Sequence, residues 1–172
     1  GEAAYQLLRA RWPEARRITL LCGAGNNGGD GYVLARLARA AGLDVTLFQL
    51  GDVSRLGADA KGMLEAWLGM GGELEAFQEL PRRSDVIVDA LLGIGLERPV
   101  EDEWARAVQA VNAQRAPVLA IDIPTGLHAD TGRVLGTAIR ATATLSFIGL
   151  KQGLFTGAGP ACCGDIYFDG LA

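Results

Sequence analysis

A short apolar run that ends in a glycine-rich loop is the feature that most constrains how this chain folds. Residues 17–22, Arg-Ile-Thr-Leu-Leu-Cys, are typical of a buried strand, and they lead into the loop CGAGNNGGDG at 22–31. The apolar spacing of residues 32–42 then predicts a helix with a glycine stop, and residues 45–50 predict a second strand. Strand, helix and strand within about 30 residues indicate a parallel βαβ unit.

The same alternation of strands and helices continues along the chain. Helical patterns occupy residues 2–12, 54–70 and 100–114, apolar strands occupy 84–93, 116–124 and 143–149, and residues 164–170 predict a last edge strand. Strands that are apolar on both faces are typical of a parallel sheet covered by helices on both sides. We therefore predict a Rossmann-like three-layer α/β/α sandwich with a mostly parallel sheet. A single domain is expected over residues 1–172, truncated at its N-terminus, because the chain lacks an initiator Met and opens inside a helical pattern.

Charge and cysteine content exclude several functional classes. The net charge is −4 at pH 7 and the basic residues form no stripe, which argues against a nucleic-acid partner. No apolar run reaches the roughly 18 residues of a membrane span. The three cysteines have no CxxC spacing, so they indicate neither a disulfide framework nor a zinc site. Reduced thiols of this kind are expected in a cytoplasmic protein.

The glycine loop supports more than one interpretation. Gly23, Gly25 and Gly28 satisfy the spacing GxGxxG, which places backbone N–H groups where a pyrophosphate can bind. A dehydrogenase would add an acidic residue at the end of the second strand, but Asp52 lies beyond the usual spacing. We interpret Asp30 as the N-cap of a helix that begins near residue 31. The amide oxygens of Asn26 and Asn27 would either stabilise turns or coordinate a cation.

Two other loops follow strands in the same sense, at 89–99 and 121–132, so all three loops should meet at one edge of the sheet. Asp89 and Asp122 lie in or at the end of apolar strands, where an unpaired carboxylate is costly to bury. Together with an asparagine and Thr125 they would form an oxygen-only site for an alkali or alkaline-earth ion. Alternatively, the two aspartates bind only turn amides.

The segments GAGNNGGDG, DALLGIGLERP, AIDIPTGLHADTG and KQGL, in this order, resemble the YjeF N-terminal domain family, the NAD(P)H-hydrate epimerases, over nearly the whole chain. The resemblance implies a Rossmann-like domain that interconverts the R and S forms of hydrated NADH and NADPH and holds a potassium ion. It also implies a homodimer, and in many bacteria a fused C-terminal dehydratase domain that acts on the S form.

Site residues follow from the resemblance, position by position. Potassium would be bound by Asn27, Asp89 and Thr125. Asp122 would contact the hydrated nicotinamide ring. We choose it as the general acid/base, because inversion by loss of the hydroxyl or by ring opening needs a group that moves a proton on oxygen. The loop residues that would surround the nucleotide are Asn26, Asn27, Gly28, Gly29 and Asp30, with Gly93, Ile94, Gly95, Leu96, Glu97, Arg98 and Pro99 around its phosphates.

Some residues depart from the family pattern or stay without a role. Ile94 stands where Thr is common, and Thr125 stands where Ser is common. The usual basic residue of the second loop is displaced, with Glu97 followed by Arg98. We interpret Lys151 as a surface lysine that holds a turn, the alternative being contact with a phosphate or the ring.

Two rival functions come from other classes. Relatives of this domain also occur as partner-recruiting modules without turnover, including RNA-decapping scaffolds, but the intact Asp122, Thr125 and NNGGD segment favour activity. An NAD-dependent dehydrogenase would need a second domain for its substrate, and a histidine or lysine after the nucleotide half.

Overall fold

Seven parallel strands form one sheet in the computed structural model of the protein, which describes residues 1–93, 95–147 and 149–169. The helices are α1 (Glu2–Arg11), α2 (Asn26–Ala40), α3 (Ala58–Gly69), α4 (Asp102–Asn112) and α5 (Gly159–Cys163). The strands are β1 (Arg17–Cys22), β2 (Asp44–Gln49), β3 (Glu75–Ala76), β4 (Val86–Ala90), β5 (Val118–Ile121), β6 (Ala143–Phe147) and β7 (Asp165–Asp169). Short 3₁₀ turns lie at Val53–Arg55 and Gln152–Leu154.

The strand order is β3-β2-β1-β4-β5-β6-β7, and every neighbouring pair is parallel. The predicted Rossmann-like α/β fold is therefore confirmed, with an entirely parallel sheet where the sequence predicted a mostly parallel one. The chain order reverses between β1 and β4, and folds of this kind bind ligands beyond the carboxyl ends of the strands at such a point. The last strand is an edge strand, as predicted.

The core has two parts, one on each face of the sheet. Alternate residues of β1 divide between them: Ile18 and Leu20 pack with α1, α2 and α3, whereas Leu21 packs with α4. Because helices cover both faces of the sheet, the domain has three layers, and the sequences of the central strands are continuous apolar runs. No helix among residues 1–93, 95–147 and 149–169 is long and apolar enough to cross a membrane.

Helix α2 begins earlier than the sequence pattern predicts, at Asn26 instead of near residue 31. The proposed capping role of Asp30 is therefore wrong, since Gly25 holds the N-cap position and Asp30 lies in the second turn. Its Oδ1 atom accepts a hydrogen bond from the Gly1 nitrogen at 2.8 Å. Glycine has a low helix propensity, so the sequence pattern did not predict this first turn. Here they permit close packing, since a Cβ atom on Gly28 would lie 2.0 Å from the Gly23 carbonyl oxygen.

Candidate functional site

A cavity of about 860 Å³ opens at the carboxyl ends of β1, β4, β5 and β6. That volume is within the range of small-molecule sites, about 300–1,000 Å³. Its walls come from the start of α2, the loop after β4, the residue after β5 and the segment after β6. The lining residues are Gly25, Asn26, Asn27, Asp30, Leu91, Leu92, Gly93, Gly95, Leu96, Glu97, Arg98, Asp122, Phe147, Gly149, Leu150 and Lys151.

The start of α2 forms one wall of the cavity. No side chain caps this helix, so its first-turn N–H groups are available to an anionic ligand. The Nδ2 atom of Asn27 donates to the Ile121 carbonyl oxygen at 2.8 Å, which ties the helix to the end of β5. The Oδ1 atom of Asn27 is directed toward Gly93, where a Cβ atom would lie 3.2 Å from it. Gly93 therefore lets the loop after β4 approach the asparagine closely.

Asp89 and Thr125 form a buried hydrogen-bonded pair. The Oδ2 atom of Asp89 accepts from the Thr125 backbone N–H at 2.7 Å, and Oδ1 accepts from the Thr125 hydroxyl at 2.7 Å and the Leu91 N–H at 3.2 Å. The hydroxyl in turn accepts from the Leu92 N–H at 3.0 Å. Only 1% of Asp89 is exposed. Burial raises the pKa of Asp89 to about 6, and the hydrogen bonds from Thr125 and Leu91 oppose that rise.

The chemistry of this pair fits a hard, oxygen-binding cation. All three donors to Asp89 are neutral, and no ion pair involves this carboxylate in the described part of the chain. Its charge is therefore not offset by a neighbouring cationic side chain. Carboxylate, hydroxyl and amide oxygens suit alkali and alkaline-earth ions. The described residues contain no group of three or more His, Cys, Asp or Glu side chains arranged to hold a metal.

Asp122 forms the second acidic position. It follows β5 directly, and its backbone adopts a left-handed conformation with φ of 71°, which is uncommon for a residue other than glycine. Its Oδ1 atom accepts a short hydrogen bond from Lys151 Nζ and a longer one of 3.4 Å from the Phe147 N–H. The side chain of Asp122 is 13% exposed and that of Lys151 is 16% exposed. The interpretation of Lys151 as a surface lysine is therefore wrong, because it lies in the cavity wall and pairs with Asp122.

The predicted loop residues divide into those at the cavity and those outside it. Nine line the cavity: Asn26, Asn27, Asp30, Gly93, Gly95, Leu96, Glu97, Arg98 and Asp122. Gly28, Gly29 and Pro99 are described by the structure but do not line it. Ile94 lies outside the described residues. Of the predicted potassium ligands, Asn27 lines the cavity, whereas Asp89 and Thr125 are each 1% exposed and do not line it.

Two other polar residues have local roles. The Nδ1 atom of His128 accepts from the N–H groups of Asp130 and Thr131 at 3.2 and 3.3 Å, and Nε2 lies 3.5 Å from a Glu97 carboxylate oxygen. His128 therefore connects its own turn to the loop after β4. Asp52 caps the 3₁₀ turn that follows β2, where its side chain accepts from the Ser54 N–H at 2.9 Å.

Sequence reasoning left the end of β6 and the segment after it out of the site, except that contact of Lys151 with a phosphate or the ring was given as the alternative. Phe147, Gly149, Leu150 and Lys151 all line the cavity. The signal that could have found them is position alone, since Phe147 ends a buried parallel strand and the other three follow it, just as Asp122 follows β5. The rule that ligands bind at the carboxyl edge applies to this strand as well.

The sheet is entirely parallel, and the cavity lies where its strand order reverses. These features define a Rossmann-like α/β domain whose ligand site contains acidic side chains. The sequence profile of the family described as YjeF-related protein N-terminus matches residues 1–153, so the chain belongs to this family.

Relatives with curated names match the whole chain. The bifunctional NAD(P)H-hydrate repair enzyme Nnr of Escherichia coli (strain K12) is 46% identical over 172 residues, which cover 99% of this chain and 33% of that protein. The NAD(P)H-hydrate epimerase of Legionella pneumophila (strain Corby) is 37% identical over 179 residues, 99% of this chain and 66% of that protein. The chain thus spans about a third of the length of the bifunctional relatives that it matches.

A solved structure shares the fold. The crystal structure of yeast ynu0 aligns with a TM-score of 0.75 at 21% identity, over 87% of this chain and 68% of that one. At this identity the likeness establishes the fold and nothing finer.

Proposed function

We propose that the protein is an NAD(P)H-hydrate epimerase that interconverts the R and S forms of hydrated NADH and NADPH. The observation that carries the proposal is the position of Asp122, an acidic side chain in the wall of a cavity that also contains the uncapped start of α2. The carboxylate supplies a group that moves protons, and the helix start suits the pyrophosphate of a dinucleotide. The names of the E. coli and L. pneumophila relatives support the same activity.

The chemistry of the hydrate sets what the site must do. Its C6 atom carries a hydroxyl and is bonded to the ring nitrogen, so inversion needs no carbanion. In one route, the Asp122 carboxylate takes a proton from solvent and passes it to the hydroxyl, the C6–O bond breaks with loss of water, and the ring nitrogen supplies the electron pair that forms an iminium. Water then adds to the other face of C6 while the Asp122 carboxylate accepts its proton. Opening of the ring to an aldehyde is the alternative route, and it also needs a group that transfers a proton on oxygen.

A test of this function uses one purified epimer of the hydrate. The protein is incubated with that epimer, and the products are separated by chromatography. Appearance of the other epimer at unchanged mass supports the epimerase. Binding without conversion contradicts it and supports a nucleotide-binding or partner-recruiting module of the same fold. Oxidation of the ring contradicts it in favour of a dehydrogenase.

We also propose that potassium is the resident ion of the site, held by Asn27, Asp89 and Thr125. The support is the buried Asp89 carboxylate, whose three hydrogen-bond donors are all neutral, and the oxygen atoms that Asn27, Asp89 and Thr125 offer as ligands. When bound, the ion would neutralise Asp89 and hold the loops after β4 and β5 together.

Binding of the ion is testable without any assay of activity. Thermal unfolding is followed at pH 7 in tetramethylammonium chloride, with potassium chloride added at constant ionic strength. We expect the unfolding temperature of the wild type to rise with potassium, because an ion that binds only the folded state stabilises it. Asp89→Asn should lose most of this rise. An equal rise in both proteins would indicate a general salt effect and contradict the proposed site.

A further inference from the structure

Lys151 occupies a position in the cavity wall that leaves its ammonium group no spare donor. An ammonium has three N–H bonds. The Nζ atom of Lys151 donates to Asp122 Oδ1, to the Ser146 hydroxyl at 3.1 Å and to the Phe147 carbonyl oxygen at 2.9 Å. All three donors therefore have partners inside the protein. Contact with a phosphate or with the ring would require one of these hydrogen bonds to break.

The three acceptors hold the ammonium in a fixed place. Ser146 and Phe147 belong to β6, a strand whose five residues are all buried, so two of the acceptors sit on a rigid element. Lysine side chains lose considerable rotamer entropy when they are held in one geometry. Here the strand supplies the compensating hydrogen bonds, and the ammonium becomes a fixed charge opposite Asp122.

The hydrogen bonds to the Asp122 carboxylate fall on one of its oxygens. Both donors, Lys151 Nζ and the Phe147 N–H, end on Oδ1 within the described part of the chain. The backbone N–H of Asp122 donates to the Leu145 carbonyl oxygen at 2.7 Å, so β6 holds the main chain of this residue as well as its side chain. With Oδ1 held in this way, Oδ2 is the oxygen that remains for a ligand in the cavity.

We propose that Lys151 is a positioning residue for Asp122. Its ammonium fixes Oδ1 so that Oδ2 faces the reacting oxygen of the substrate, and it does not itself bind phosphate. The inference rests on the proposed epimerase function. It goes beyond that function because it assigns the role of the segment after β6 and the orientation of the carboxylate. A misplaced catalytic group slows the chemical step while leaving substrate binding largely intact.

The kinetic test compares three variants with the wild type. Lys151→Met removes the charge and the donors, Lys151→Arg keeps the charge with a different geometry, and Lys61→Met is the matched control. Lys61 is the other lysine of the sequence and lies exposed on α3, outside the cavity. We expect kcat of Lys151→Met to fall by about 10- to 100-fold with KM changed less than about threefold. Lys151→Arg should recover part of the loss, and Lys61→Met should match the wild type. A rise of KM by tenfold or more at constant kcat would mean that Lys151 binds substrate, and would overturn the proposal.

A structural readout decides the inference independently of activity. Crystal structures of Lys151→Met and Lys61→Met also show whether each variant folds. We expect the Asp122 carboxylate to leave its wild-type position in the first variant and to keep it in the second. An unmoved carboxylate in Lys151→Met overturns the positioning role. If the wild type fails to epimerise the hydrate, the proposed function fails, and the position of the carboxylate still tests what Lys151 does.

Discussion

Two aspartates at the ends of neighbouring strands have opposite surroundings. Asp89, in β4, pairs in register with Ala120 of β5, and Asp122 follows two residues beyond that partner. Asp89 is buried and receives only neutral hydrogen bonds, from Thr125 and Leu91. Asp122 is partly exposed to the cavity and is paired with the ammonium of Lys151. The same residue type, at the same edge of the same sheet, thus occupies two different electrostatic environments.

The difference matches the two tasks that we propose for this edge of the sheet. A buried carboxylate without a cationic neighbour is stabilised by an added ion, so Asp89 is suited to hold a metal. A carboxylate whose charge is balanced inside the protein, and which opens to a cavity, is suited to act on a ligand. The contrast makes four predictions, which differ in the size of the expected effect.

The largest effect is expected from Asp122→Asn. The amide cannot donate and accept the proton in turn, so kcat/KM for epimerisation should fall by about 10²- to 10⁴-fold, with the unfolding temperature little changed. Chromatographic assay of one purified hydrate epimer measures the loss. Asp52→Asn, an exposed cap away from the cavity, serves as the matched control and should retain wild-type activity. Activity of the Asp122 variant close to wild type would show that another group moves the proton.

The next effect concerns stability and distinguishes the two aspartates directly. Asp89→Ala leaves the buried N–H groups of Thr125 and Leu91 without their acceptor, at about 1–3 kcal/mol for each unsatisfied group. We expect the free energy of unfolding in urea to fall by about 3 kcal/mol. Asp122→Asn should lower it by about 1 kcal/mol or less, because the amide oxygen can still accept from Lys151. Equal losses in the two variants would remove the distinction drawn between the two sites.

A third effect follows from the titration of Asp89. Burial raises its pKa to about 6 in the folded chain, against about 3.9 for an ordinary aspartate in the unfolded chain. Between these values the folded state retains a proton that the unfolded state has lost, so the contribution of Asp89 to the free energy of unfolding falls as pH rises. Relative to Asp89→Asn, the wild type should lose roughly 2–3 kcal/mol between pH 4 and pH 6.5 in tetramethylammonium buffers. Urea unfolding at a series of pH values measures this difference, and a difference that does not vary with pH contradicts the assigned environment.

The smallest effect should come from Thr125→Ser. Serine keeps the hydroxyl that donates to Asp89 and accepts from the Leu92 N–H, so the loss of one methyl group should cost about 1 kcal/mol or less. Thr125→Val has a similar shape without the hydroxyl, and it should cost about 1–3 kcal/mol. Thermal unfolding of both variants gives the comparison. If valine is tolerated as well as serine, the hydroxyl does not support Asp89.

Much of the fold could be predicted from the sequence because its strands are buried on both faces. The runs in β1 and β4 are mostly apolar and almost entirely buried, and such runs are typical of the middle of a parallel sheet. The two-residue strand β3 could not be predicted, since both of its residues are exposed and no pattern distinguishes them from a loop. The first turn of α2 was missed because tertiary packing overrides the poor helix propensity of its glycines.

The candidate site was predictable where it depends on topology and unpredictable where it depends on side-chain conformation. Asn27, Asp89 and Asp122 follow or end parallel strands at one edge, so their neighbourhood can be expected from connectivity alone. The partner of Lys151 could not be predicted, because a lysine has four rotatable side-chain bonds and Asp122 is 29 residues away in the chain. Sequence reasoning placed this lysine on the surface for lack of any local pattern.

The close contact between α2 and the strands beneath it has a practical meaning for protein engineering. A Cβ atom on Gly31 would lie 2.5 Å from the Cys22 sulfur, and the clash at Gly28 is tighter still, so the side of α2 that packs on the strands leaves no room for added side chains. Another wall of the cavity, the loop at residues 95–98, contains the exposed side chains of Glu97 and Arg98. Libraries designed to alter ligand preference should randomise that loop and leave Gly28 and Gly31 unchanged.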